Sequence, residues 1–414
     1  MYTTIKNCRI CGNNDLISIM DVGIQSLTGT FPASRDEPVY SGPVELVKCA
    51  GENFCGLVQL RQSYDISLMY GENYGYRSSL NASMINHLHS KIDKILAKKV
   101  LMEGDLVVDI GSNDGTTLGA YPRNLYNLVG IDPTGEKFLD YYPQGVKLIP
   151  DFFSEKNISE IAGGKKAKVI TSFSMFYDLE DPVAFAQEVS ASLHDEGIWV
   201  FEQSYLPAML EANSFDTICH EHLEFYSLKQ IEWIAQKAGL KVLDVEFNDI
   251  NGGSFSITAA KVDSHMQPES KKLHDIRDKE LMLGLDNLKI YEDFKLRVEE
   301  ARIALIGFLE EARKNNKSVY GLGASTKGNV LLQYFDINED LLIKICEVNE
   351  DKFGKFTPGS LIPIISEEEL LDLNPDYLLV LPWHFRPFFE KLPSLKGRSL
   401  VYPLPRFEIS LQRT

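Results

Sequence analysis

Four groups of residues in this chain have types and spacings that could do chemistry. The first is Cys8-Arg9-Ile10-Cys11-Gly12, a knuckle of two thiols, followed some forty residues later by Cys49 and Cys55. The thiolates of Cys8, Cys11, Cys49 and Cys55 satisfy a tetrahedral zinc ion and leave it no open position, so the role would be structural. A loop-rich segment of this size needs such a staple. Cys49 and Cys55 stand further apart than the usual pair, which leaves plain buried or redox cysteines as the alternative.

The second group is Val107-Val108-Asp109-Ile110-Gly111-Ser112-Asn113-Asp114-Gly115, an apolar run that ends in a glycine-rich bend. Asp132 closes the next apolar run, at a spacing that suits a carboxylate accepting both hydroxyls of a ribose. The bend lacks GxGxxG and is acidic at Asp109 and Asp114. A pyrophosphate is disfavoured there, because its charge would face carboxylates. S-adenosylmethionine has an ammonium, a sulfonium and no phosphate, so electrostatics favours it over NAD, with Asp109, Gly111, Asn113, Gly115 and Asp132 as the binding set. A plain structural turn is the alternative. The third group, His220-Glu221-His222, holds two of only eight histidines. It is not HExxH, so a zinc-protease site is excluded. A histidine beside a carboxylate is a ready general base; a satisfied polar cluster is the competing possibility. The fourth is Val319-Tyr320-Gly321-Leu322-Gly323-Ala324-Ser325-Thr326-Lys327-Gly328-Asn329, again a strand, a glycine bend and a helix start. It lacks the third glycine of a dinucleotide fingerprint, which disfavours a dehydrogenase. Lys327 beside backbone N–H groups suits a diphosphate.

The elements that must position these groups read as two α/β units behind a small cysteine segment. Residues 1–75 look loop-rich. A helix is expected from Ser79 to Ala97, with Leu80, Met84, Leu88, Ile92 and Ile95 near one face. Strands are expected at Leu106–Ile110, Leu128–Ile131, Val169–Ser172 and Ile198–Phe201, with helical segments between them, which is the alternation of a doubly wound sheet. Ser264–Arg313 is charged and helical in pattern and connects to a second unit with strands at Val319, Leu342–Cys346 and Tyr377–Leu381. The expected domains are 1–75, 76–262 and 263–414. The chain has 414 residues, 44% hydrophobic and 24% charged, with formal charge -17. So acidic a chain is a poor general binder of nucleic acid. No apolar run approaches a membrane span of roughly 18 residues, and the start lacks the apolar stretch of a secretory signal. A cytoplasmic protein is expected, with no nucleic-acid or membrane partner, as a monomer or small homo-oligomer.

Taken together the motifs identify a resemblance over nearly the whole length. They are the four-cysteine segment ending in Cys55-Gly56-Leu57-Val58-Gln59-Leu60, Tyr74-Gly75-Tyr76-Arg77-Ser78, the Asp109–Gly115 bend, His220-Glu221-His222, Asn251-Gly252-Gly253-Ser254 and Gly323–Asn329. The chain resembles the sugar C-methyltransferases of the tetronitrose type, which methylate C3 of a 4-keto-6-deoxy sugar carried by a nucleoside diphosphate. The resemblance implies a class I methyltransferase core, a small N-terminal zinc domain and a C-terminal Rossmann-like domain. It implies His222 as the base, with Glu221 or His220 orienting it, and Tyr76 in the active site. It places an adenine contact at Asp151-Phe152, and the nucleotide sugar on Tyr74, Arg77, Ser325, Thr326, Lys327, Asn329 and Glu347. Where the best-known members carry a tyrosine just before the His-Glu-His segment, this chain has Cys219, and a histidine often found near the end of the fourth strand is replaced near Tyr177. The other functions weighed are an O- or N-methyltransferase on a nucleotide sugar, and a non-catalytic nucleotide-sugar-binding protein.

Overall fold

The computed structural model describes residues 2–51, 54–65, 69 and 77–411. Tyr74 and Tyr76 lie outside the described residues. The largest sheet has seven strands, in the order Leu240–Asn248, Ser254–Lys261, Leu193–Ser204, Ala167–Phe173, Leu106–Ile110, Asn127–Ile131 and Lys147–Ile149. The last five of these run parallel, and the first two form an antiparallel hairpin on their edge. Leu106–Ile110 is buried at every position, Asp109 included, as a central strand in a sheet covered on both faces must be. Chain order reverses at this strand: the next two strands lie to one side of it and Ala167–Phe173 to the other. Such a reversal opens a crevice beyond the carboxyl ends of the strands. Gly111 turns into it with φ +70°, where a Cβ would stand 3.2 Å from Met175 Cγ, just past the neighbouring strand.

A second sheet repeats the plan. Its order is Ile364–Ser366, Ile345–Glu347, Val319–Leu322, Tyr377–Val380, Ser399–Tyr402 and Glu408–Leu411, with only the last strand antiparallel. The reversal falls at Val319–Leu322, and Gly323 (φ +86°) turns where a Cβ would lie 2.8 Å from Pro382. Both glycine bends therefore stand at switch points, and both are glycine because the backbone turns left-handed against a neighbouring loop. The charged connector is two helices, Ser270–Leu283 and Lys289–Lys314, separated by Gly284 with φ +71°. The second buries Tyr291, Phe294, Val298, Ala301, Leu305, Leu309 and Ala312. That stripe at intervals of three and four packs into the core of the second sheet.

The expectation of a loop-rich N-terminal segment is corrected. Leu16–Ser26, Ser41–Cys49 and Val58–Leu60 form an antiparallel sheet, and its fourth strand is Glu224–Phe225, contributed from beyond the His-Glu-His segment. Register shifts between Ser18 and Met20 and between Asp21 and Ile24 break the alternation that would have marked the first strand. The helix after residue 77 also starts later than expected, at Ala82, because Asn81 caps it by accepting from Ser83 N. Leu80 lies in the preceding turn and is exposed, while Leu88, Ile92 and Ile95 are buried as expected. Among the described residues no helix is long and apolar enough to cross a membrane.

Candidate active site and cysteine cluster

The knuckle forms because Gly12 N donates to Cys8 O and Cys8 N to Asn13 O, which aims both thiols inward. The Sγ atoms of Cys8, Cys11, Cys49 and Cys55 all lie within 4.8 Å of one another. Cys8 and Cys55, and Cys11 and Cys49, are 3.5 Å apart, too far for disulfides. Zinc–sulfur bonds of about 2.3 Å in a tetrahedron put sulfurs roughly 3.8 Å apart, so the set fits one such ion. Leu57 N and Asn13 Nδ2 donate to Cys55 and Cys49 Sγ, which steadies the ligands from outside.

The first glycine bend is braced from below and above. Asp109 lies under it, buried, accepting from Thr171 Oγ1 at 2.5 Å. Burial pushes this carboxyl up to about 7, against the hydrogen bonds from Thr171 and Thr117. It therefore supports the bend and does not face outward. Asp132 Oδ2 accepts Asn113 N at 2.8 Å, and its Oδ1 accepts Thr134 N and Oγ1 at 2.7 and 2.6 Å. A carboxylate has about four acceptor positions, so one remains on Oδ2. Asn113 (φ +48°) and Asp114 turn their side chains to Ser78 N and Ser79 N, both at 2.9 Å. Tyr142 Oη donates to Asn113 O. Gly115 is left-handed and begins the next short helix. Arg77 is brought to this bend, its guanidinium 4.3 Å from the Tyr141 ring. Asp151 accepts from Phe152 N, and Phe152 is exposed beyond the Lys147–Ile149 strand.

The His-Glu-His segment lies where the two parallel sheets and the four-stranded N-terminal sheet meet. His222 Nδ1 is 2.8 Å from Thr217 O. A carbonyl only accepts, so Nδ1 carries the proton and the neutral ring presents its lone pair at Nε2. The Tyr177 ring meets it edge-on at 4.6 Å. Burial lowers the imidazole's pKa, Glu221 opposes that, and Lys327 reinforces it. Thr28 Oγ1, in the turn after the first strand of the N-terminal sheet, donates to Glu221 at 3.4 Å. His220 faces elsewhere: it is fully buried, edge-on to Tyr64 at 4.5 Å, near the backbone of Gln25 and Gly42. That environment attaches the segment to the N-terminal sheet and separates His220 from His222.

Lys327 crosses from the second sheet's first helix into this junction. Its Nζ donates to Asn251 O at 2.7 Å, and burial lowers its pKa while Asp216 opposes. Asp216 is fully buried and accepts Trp383 Nε1 at 2.8 Å; burial raises its pKa and Lys327 opposes. His384, beside Trp383, is driven down to about 3 by burial and then by Lys327. The other expected nucleotide-sugar residues are partly committed within the chain. Ser325 caps its helix by accepting Gly328 N, Thr326 is exposed, Asn329 is fully buried and donates to Thr28 O at 2.8 Å, and Glu347 accepts Val348 N and pairs with Lys352. Sequence reasoning missed Asp216, Trp383 and His384. Their only signal is polar residues in apolar surroundings, which no local pattern joins across 167 positions.

Residues 8–70 match a family described as "Putative zinc binding domain", residues 80–245 one described as methyltransferase domain, and residues 249–405 one described as C-methyltransferase C-terminal domain. Among solved structures, an S-adenosylmethionine-dependent methyltransferase from Clostridium acetobutylicum is 14% identical over 42% of this chain and 91% of that one, with TM-score 0.33. LepI in complex with SAM is 17% identical over 38% of this chain and 43% of that one, with TM-score 0.32. C-methyltransferase NovU from Streptomyces niveus is 30% identical over 411 residues, 97% of this chain and 96% of its own length. A relative matched almost end to end at this identity shows that the chain belongs to the C-methyltransferase family.

Proposed function

We propose that this protein methylates C3 of a nucleoside-diphosphate 4-keto-6-deoxy sugar, with His222 as the general base, S-adenosylmethionine as methyl donor and zinc at the cysteine cluster. The observation that carries the proposal is the Nδ1–Thr217 O hydrogen bond, which fixes the Nδ1–H tautomer of His222 and leaves Nε2 as the ring's proton acceptor in a junction of three units. Depression of its pKa by burial keeps it unprotonated at neutral pH. The C3–H bond is acidified by the adjacent ketone. Nε2 takes the proton, and the electron pair moves through the C3–C4 bond to the ketone oxygen. Lys327, a cation in the same junction, is suited to the oxygen's developing charge or to the diphosphate. S-adenosylmethionine supplies an electrophilic methyl on a sulfonium, and the C3 carbon is the nucleophile for it. The family resemblance supports the nucleotide-sugar class, with Ser325, Thr326 and Lys327 at the diphosphate and Arg77 near the cofactor bend. Gly111, Asn113, Gly115 and the open acceptor position of Asp132 are assigned to the cofactor, and Asp151 and Phe152 to its adenine. The zinc is structural and outside the chemistry. Incubation with S-adenosylmethionine and a panel of nucleotide 4-keto sugars, read by mass spectrometry, should add 14 mass units, about one CH2, to at least one sugar. No methylation of any keto sugar, with methylation of a substrate lacking the ketone, would overturn the proposal.

A further inference from the structure

Arg9 stands between two members of the cysteine cluster, yet its side chain leaves the cluster and is 2% exposed. Nη1 donates to Leu60 O at 2.6 Å and Gln59 Oε1 at 3.3 Å. Nη2 donates to Ser63 Oγ at 2.7 Å and Gln62 O at 3.4 Å. Nε faces two carboxylates, Glu224 at 3.6 Å and Glu180 at 3.8 Å. Glu224 is fully buried, two residues after His222, and Glu180 is three residues after Tyr177, whose ring packs on His222. The backbone completes the connection: Leu60 N donates to Leu223 O, and Leu223 N to Tyr177 O, at 2.8 and 2.9 Å.

A buried guanidinium with this many partners is not explained by the cluster, which needs only the thiols. Burial pushes the Glu224 carboxyl well above the usual carboxylate range, and Arg9 is the cation that opposes this. Its surroundings offer Arg9 on one side and the carboxylates of Asp178 and Glu180 on the other. The fork geometry of arginine fits the task, since one planar group donates to two backbone carbonyls, an amide oxygen and a hydroxyl while its Nε edge lies within ion-pair distance of two carboxylates.

We propose that Arg9 is a positioning residue for His222, fixing the Tyr177–Glu180 and Leu223–Phe225 segments around the base and so linking the cysteine cluster to catalysis. This rests on the assignment of His222 as the base, which is tested separately by His222→Ala. The metal, where bound, holds the backbone on both sides of Arg9, so the guanidinium is delivered to a fixed place.

The test uses the full chain with Arg9→Met, Arg9→Lys and the double variant Arg9→Met/Glu224→Gln. Each is assayed for metal content, turnover, KM for S-adenosylmethionine, and the NMR signal of the His222 Nδ1 proton. Arg9→Met is expected to keep one metal per chain and an unchanged KM for S-adenosylmethionine, because the cofactor bend belongs to another sheet. Its kcat should fall on the order of 10- to 100-fold, the scale of a small misplacement of a reacting group. The Nδ1 proton, held on Thr217 O in the wild type, should exchange faster or broaden. Arg9→Lys should recover part of kcat. The double variant removes the buried acid that loses its neighbouring cation and should recover more than Arg9→Met; it is also the variant to read if Arg9→Met does not fold. Wild-type kcat and an unchanged Nδ1 proton in folded Arg9→Met would overturn the proposal. So would a loss that follows metal content alone and is not recovered in the double variant.

Discussion

Gly253→Ala adds one methyl where the structure has no room for it. Gly253 sits at φ +121°, and its Cβ would stand 2.5 Å from Ala208 Cβ, more than 1 Å inside ordinary carbon–carbon contact. Two costs add. The backbone value is essentially closed to a residue with a Cβ, at about 1–3 kcal/mol. The overlap forces backbone to move, because neither partner is a flexible side-chain end, at about 1–3 kcal/mol more. A total near 4 kcal/mol corresponds to a melting shift of roughly 8–16 °C for a unit of this size. The movement has a functional direction, since Gly253 follows Asn251, whose carbonyl holds the Lys327 amine at 2.7 Å. Turnover should therefore fall along with stability. Gly163→Ala is the control: it too is left-handed, at φ +60°, but nothing lies within 4 Å of its Cβ. It should cost only the backbone term, about 1–2 kcal/mol, and leave kcat unchanged. Differential scanning calorimetry and steady-state kinetics on both variants decide it. Equal melting shifts for the two, or wild-type turnover in Gly253→Ala, would refute the reasoning.

Three further outcomes are expected. The acid limb of kcat should lie below the ordinary histidine value near 6.5. Protonation inactivates the base and burial resists it, so Glu221→Gln should move the limb lower and Lys327→Met higher; shifts of the opposite sign would remove His222 as the titrating group. Stripping metal with a chelator should raise hydrogen exchange at Val58–Leu60 and also at Glu224–Phe225, because the two pair directly; loss of protection confined to the cysteine loops would contradict that coupling. Asp132→Ala removes the acceptor of Asn113 N and of Thr134 N and Oγ1, so calorimetry should find S-adenosylmethionine binding weakened at least tenfold, on the scale of about 1.4 kcal/mol, and unchanged affinity would refute the assignment of the bend.

The parts of this fold that were legible in the sequence are those whose burial is local and two-sided. Leu106–Ile110 and Val319–Leu322 are mostly apolar, buried at every position and followed at once by glycine, so strand, turn and ligand edge could be read together. The hairpin Leu240–Asn248 and Ser254–Lys261 was not singled out, since one of its strands alternates with polar residues and holds a register shift between Val242 and Asp244. The N-terminal sheet was hidden for a different reason: its fourth strand comes from about 165 residues away, a pairing that no periodicity reports. In the site, the histidine pair was visible as a motif, but its division of labour was not. Only the fold separates His222 on Thr217 from His220 against Tyr64. Lys327 was legible as a cation beside a glycine bend. Its reach to Asn251 and the electrostatics of Asp216 depend on how two sheets dock.

Carbon methylation driven by His222 is tested most directly by the position of the transferred methyl. The protein, incubated with methyl-13C S-adenosylmethionine and a nucleotide 4-keto-6-deoxy sugar, should give a product whose labelled methyl couples to C3 in carbon NMR, as a C–C bond requires. His222→Ala should bind both ligands and lose turnover on the order of 100- to 10,000-fold. A labelled methyl on oxygen or nitrogen, or near-normal turnover in His222→Ala, would contradict the account.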